Sequence, residues 1–103
     1  MHDYVQLRSD LNTNAVAFLK IDLDIALTFA EAALHARRGS EKKFRNQANA
    51  FYAYDTVLRL RELLTLTQED AREIEKRLNR LQSALKQLGA LPRMVGIQRQ
   101  KAG

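Results

Sequence analysis

The chain has 103 residues, a net charge of +5, 46% hydrophobic and 28% charged residues, and no cysteine. That length supports one domain around a single core, the mixture is that of a globular rather than a disordered chain, and the lack of thiols excludes disulfides and thiolate metal centres. The first residues, Met1-His2-Asp3-Tyr4, lack the basic-then-apolar pattern of a signal peptide, and no apolar run reaches membrane-spanning length, so a cytoplasmic location is expected.

Residues 1–13 read as a partly ordered lead-in, with Tyr4, Val5, Leu7 and Leu11 as isolated apolar anchors. The spacing then predicts a bundle over 14–89. A first helix runs from Asn14 to about Arg38, with Thr13 or Asn12 available as its cap and Gly39-Ser40 closing it. Its apolar residues fill more than half a turn. Val16, Leu19, Leu23, Ala26, Leu27 and Ala30 form one side, while Ile21, Ile25 and Ala32 form a surplus that two neighbouring helices would not cover. The chain ends are the first expected cover for this face, and a second subunit the next. Lys20, Asp24, Glu31 and His35 mark its solvent side.

A second helix is expected over about 41–65, with Ala50, Phe51, Ala53, Tyr54, Val57, Leu58, Leu60 and Leu64 on a broad inner arc. Asp55 and Arg59 form an outward pair at four-residue spacing, and Tyr52 and Leu63 also face outward. The third helix, over about 68–89, carries the clearest apolar seam: Ala71, Ile74, Leu78, Leu81, Leu85 and Leu88. Thr67 is its expected N-cap, Leu66 and Ala71 a staple, Glu69 and Asp70 suit its positive pole, and Gly89 stops it. Residues 90–103 read as an irregular basic tail in which Pro92 and Gly96 discourage helix. Short connections between long helices give an all-α, antiparallel up-down-up three-helix bundle.

Asp22 is the misfit, because on an unbroken helix it lands inside the apolar arc, where an unpaired carboxylate is costly. Either the helix breaks there and Asp22 caps a new segment, or it is buried against Tyr54 or Arg61 as a register-fixing polar pair. A second charged feature is the basic cluster Arg37, Arg38, Lys42, Lys43 and Arg45 around the first turn. It suits phosphates or an acidic partner, although Arg37 and Arg38 also complement the negative pole of the first helix.

Catalytic signatures are missing. Neither His2 nor His35 has a glutamate three residues before it, as di-iron bundles require, and there is no Gly-rich phosphate loop, nucleophile elbow or zinc motif. Glu31 and His35 share a helix face as a surface pair. The segment Asp22-Leu-Asp-Ile-Ala-Leu-Thr-Phe-Ala-Glu-Ala-Ala-Leu34 resembles the second helix of a tetratricopeptide repeat and the corresponding helix of microtubule-interacting-and-transport domains. That resemblance implies a helical domain that receives peptides or helices in an interhelical groove. The chain also looks like short bacterial hypothetical proteins with an ALTFAEAAL … AYDTVLRL core, which brings no assigned function. The combined expectation is a non-enzymatic helical module that needs no cofactor and binds a protein partner or a second copy of itself. A basic-patch binder of nucleic acid is the alternative.

Overall fold

The computed structural model describes the backbone of residues 2–89 and the side chains of residues 5–89; the expected basic tail lies outside the described residues. Three helices make up the fold: α1 (His2–His35), α2 (Glu41–Leu60) and α3 (Gln68–Gln87), with one 3-10 turn (Arg61–Leu63) after α2. No strand occurs among the described residues. The helices run up, down and up, so α1 and α3 are parallel and α2 is antiparallel to both. α1 packs against both of the others.

Each boundary has a local cause. Gly39 adopts a positive φ of 76°, which reverses the chain after α1, and Ser40 then caps α2 by accepting the Lys43 N–H at 3.1 Å. Thr67 caps α3 in the same way, accepting the Asp70 N–H at 3.0 Å. Gly89, with φ of 80°, ends that helix, and its N–H donates to the Lys86 carbonyl at 3.0 Å.

The core is built from one face of each helix. Leu19, Leu23, Ala26 and Ala30 of α1, Ala50 and Val57 of α2, and Ile74, Leu81 and Leu85 of α3 are essentially sealed from solvent. Ile74, Leu78, Leu81 and Leu85 carry the seam expected for α3, Leu88 is half-buried, and Ala71 is exposed, so it forms no part of the core. Leu66 packs against the core from the preceding loop.

Several boundaries differ from the sequence reading. The segment read as a lead-in is helical from His2, so α1 has 34 residues against 20 in each of its neighbours. At 1.5 Å per residue that is about 51 Å against about 30 Å, and the first turns of α1 extend past the base of the bundle. Thr13 is not a cap: its hydroxyl donates to the Ser9 carbonyl at 3.0 Å inside the helix. Asn12 is not one either. Its Nδ2 donates to the Thr65 carbonyl and its Oδ1 accepts the Thr65 N–H, both at 2.9 Å.

That clamp also accounts for the early end of α2. Helical geometry stops at Leu60, the 3-10 turn tightens the exit, and Leu64 is extended with φ of −110° and ψ of 153°. Thr65 thereby presents both backbone groups to Asn12, which supplies one donor and one acceptor on a single planar amide. At the other end, α1 stops at His35, so Arg37 and Arg38 lie in the turn rather than in a last helical turn.

Leu81→Ala should lower the unfolding free energy by about 2–5 kcal/mol in a urea titration, whereas exposed Leu63→Ala should change it by less than about 0.5 kcal/mol. Asn12→Ala should cost about 1–2 kcal/mol, and Asn12→Asp at least as much, because a carboxylate would set an acceptor against the Thr65 carbonyl. Circular dichroism during denaturation reads both.

Candidate functional site

Among the described residues, the surplus face of α1 is open along most of its length. Phe18, Ile21 and Ile25 are 62%, 58% and 48% exposed, while Ala32, nearer the top of the helix, is half-buried. Of the chain ends expected to cover it, the N-terminal lead-in does not fold back, since those residues continue α1, and the C-terminal tail lies outside the described residues. Between α1 and α2 this face opens into a shallow groove lined by Asp22, Ile25 and Phe29 on one side and Asn49, Tyr52 and Thr56 on the other. Tyr52 is exposed on the rim. Thr56 Oγ1 is shielded from solvent and has no hydrogen-bond partner among the described residues. A second apolar hollow at the base of the bundle is walled by Ala15, Phe18, Leu19, Leu60, Leu63 and Leu64.

Asp22 lies in the α1–α2 groove, half-exposed, on a helix that does not break there. The expected contact with Tyr54 or Arg61 is not made. Arg61 Nη1 donates instead to Glu75 Oε2 of α3 at 2.8 Å. Tyr54 is buried in the core, and burial pushes its phenol above the ordinary value; Arg61 pulls it partly back and Glu75 adds to the rise. These three residues are therefore split between a groove wall, the core and an α2–α3 ion pair.

Other charged residues of α1 face a different neighbour from the one expected. Lys20 and Asp24, read as solvent-facing, join α1 to α3. Lys20 Nζ reaches Asp70 Oδ1 at 2.6 Å, and Arg77 Nε donates to Asp24 Oδ1 at 3.0 Å while its Nη1 holds Glu73 at 2.9 Å. Asp55 and Arg59 make the expected outward pair at 3.0 Å. His35 Nδ1 donates to the Glu31 backbone carbonyl at 2.8 Å rather than meeting its carboxylate.

The basic cluster clusters in space as in sequence. Arg37, Arg38, Lys42 and Arg45 are exposed around the α1–α2 turn and Lys43 is half-buried, and none of the five is in an ion pair among the described residues. Phe44, 66% exposed, stands among them. Among the described residues there is no group of three or more His, Asp or Glu side chains placed to hold a metal, and no helix long and apolar enough to cross a membrane. No family model, curated protein or solved structure matches the chain.

The hydrogen bond from Lys20 holds the Asp70 carboxyl below the usual carboxylate range, with the Thr67 hydroxyl assisting against a small opposing effect of burial. On acidification the unfolded chain therefore takes up this proton first. Stability from this pair is complete above the ordinary carboxylate pKa and is lost as the pH falls through the lower native value. Asp70→Asn should flatten the loss of stability that the unsubstituted protein shows between about pH 5 and pH 2 in thermal melts.

Proposed function

We propose that this protein is a non-enzymatic helical interaction module whose working surface is the outer apolar face of α1 with the adjoining α1–α2 groove. The observation that carries the reading is the run Phe18, Ile21 and Ile25, three large apolar side chains about half or more exposed on consecutive turns of one helix and continued across the groove by Tyr52. A single exposed apolar residue is ordinary, but a contiguous stripe on a helix keeps a large area against water and favours a partner that removes it. A helical partner matches this shape, because its side chains enter the spaces between residues three and four apart. Asp22 and Asn49 at the groove supply orientation, since each can hydrogen-bond a partner side chain.

The basic turn supports a second reading, an electrostatic contact with nucleic acid, because Arg37, Arg38, Lys42 and Arg45 are exposed and free of carboxylate partners among the described residues. Binding to mixed DNA or RNA that weakens steeply with added salt and is abolished by Arg38→Glu with Lys42→Glu would favour this reading.

For the interaction module, benzoylphenylalanine at position 52 should give a discrete covalent adduct on irradiation in cells, and Ile25→Asp in the same chain should remove it without lowering helicity. A position-52 probe that yields no adduct, or one indifferent to Ile25→Asp, would count against the reading.

A further inference from the structure

The exposed stripe does not end at Phe18. Because α1 is continuous from His2, it runs on through Leu11 and Leu7, which are 60% and 57% exposed. Leu7, Leu11, Asn14, Phe18, Ile21 and Ile25 are separated by four, three, four, three and four residues, the alternation of a coiled-coil seam. A 3.5-residue repeat drifts by only about 20° per heptad on a straight helix, so the six positions stay on one side of α1 throughout. That side lies away from the core face of Leu19, Leu23 and Leu27. α1 is thus apolar on two opposed faces, one buried in the bundle and one laid out as a seam whose large apolar residues stay about half or more exposed.

We infer that this seam pairs with the same seam of a second copy, antiparallel, about a twofold axis passing near Val16. The inference rests on the proposed function and names its partner. In that register Leu7 meets the second copy's Ile25, Leu11 meets its Ile21, and Asn14 meets its Phe18, so each large apolar residue finds another seam residue. Asn14 lies close to the axis, where a polar group penalises slipped registers.

Charge complementarity selects this orientation. On one flank of the seam, Arg8 comes opposite the second copy's Asp22, and symmetry makes the pair twice. Neither residue has an ion-pair partner within the protomer among the described residues. Asp22 is the carboxylate that the groove leaves without a partner. On the other flank Asp10 faces the second copy's Asp24, whose charge Arg77 offsets at 3.0 Å, while Asp10 accepts only the neutral Gln6 amide at 3.0 Å and keeps its charge. The antiparallel arrangement also lays the extended first turns of each α1 along the body of the other copy. A parallel pair would bring the two extensions together beyond both bodies and would leave Arg8 far from Asp22.

Sedimentation velocity and light scattering from micromolar to millimolar concentration should give a dimer. Ile21→Asp should weaken it about tenfold or more with circular dichroism unchanged. Arg8→Glu and Asp22→Arg should each weaken it about tenfold, and the two together should restore it, which a merely structural effect would not do. The chain has no cysteine, so single cysteines report orientation directly. Ala17→Cys, beside the axis, should oxidise to a covalent dimer, whereas Leu7→Cys residues would stand about 27 Å apart and should not. Cross-linking at position 7 instead of 17, or single charge reversals that are not rescued by the pair, would overturn the antiparallel assignment. A monomer at every concentration would overturn self-pairing. If that monomer still gives a position-52 adduct with a different chain, the interaction reading survives; if it gives none, both fall.

Discussion

The close approach that Ala26, Ala30 and Ala33 permit on α1 is the constraint on which the arrangement depends. All three are fully buried, as is Ala50 of α2. Interaxial distances of about 8–10 Å are set by the side chains at the contact, and a methyl group at each of these sites lets both neighbours press against one side of the helix. Core volume then comes mainly from leucines elsewhere: Leu19 and Leu23 lower on α1, and Leu78, Leu81 and Leu85 on α3. Leu27 is the large residue buried among these alanines, while Phe18, Ile21 and Ile25 stand on the outer side of the helix. The open stripe and the tight core are two results of one allocation of side chains around a single helix.

Ion pairs define how the helices are set against one another more than they hold them together. Lys20–Asp70 and Asp24–Arg77 join α1 to α3, and Arg61–Glu75 joins α2 to α3. All are partly exposed, and pairs of that kind contribute at most about 1 kcal/mol each. Their placement matters more than their strength. Two parallel helices can slide by a turn with little change in apolar contact, and opposite charges at two levels of α1 oppose such a slip.

Much of the fold was legible because its signals are local. The seam of Ile74, Leu78, Leu81 and Leu85 repeats at helical spacing, Thr67 and Gly89 are strong end markers, and the Asp55–Arg59 pair depends on four-residue spacing alone. The misreadings concern residues whose role is decided at a distance. Asn12 has the chemistry of a cap, and its amide is drawn instead to Thr65, 53 residues away. Read as a cap, it placed a false boundary in α1 and divided the apolar stripe, so that Leu7 and Leu11 looked like isolated anchors. Tyr54 does lie on the inner side of α2, but Arg61 falls in the 3-10 turn beyond the helix's early end, where Glu75 of α3 holds it away from Asp22. Periodicity names the face of a residue; which of two neighbours it meets there is a property of the packed bundle.

In the proposed pairing, the extension of α1 below Asn12 is ordered together with the contact it makes. A helical stretch of about ten residues is marginal in water when its side chains are not packed, since nucleation is costly and each added residue gains little. Here the extension grows from a helix already nucleated by the bundle, and Asn12 anchors it at the point where it leaves the body. In that pairing, the second copy covers Leu7 and Leu11 and adds to its stability. Helix stabilisation and pairing would then share one free energy: part of the attraction between surfaces would be spent on ordering, so the contact would release more readily than its apolar area alone suggests. In the proposed pairing such a surface would suit an association that is made and undone, with the first turns of α1 firming as the second copy arrives and loosening as it leaves.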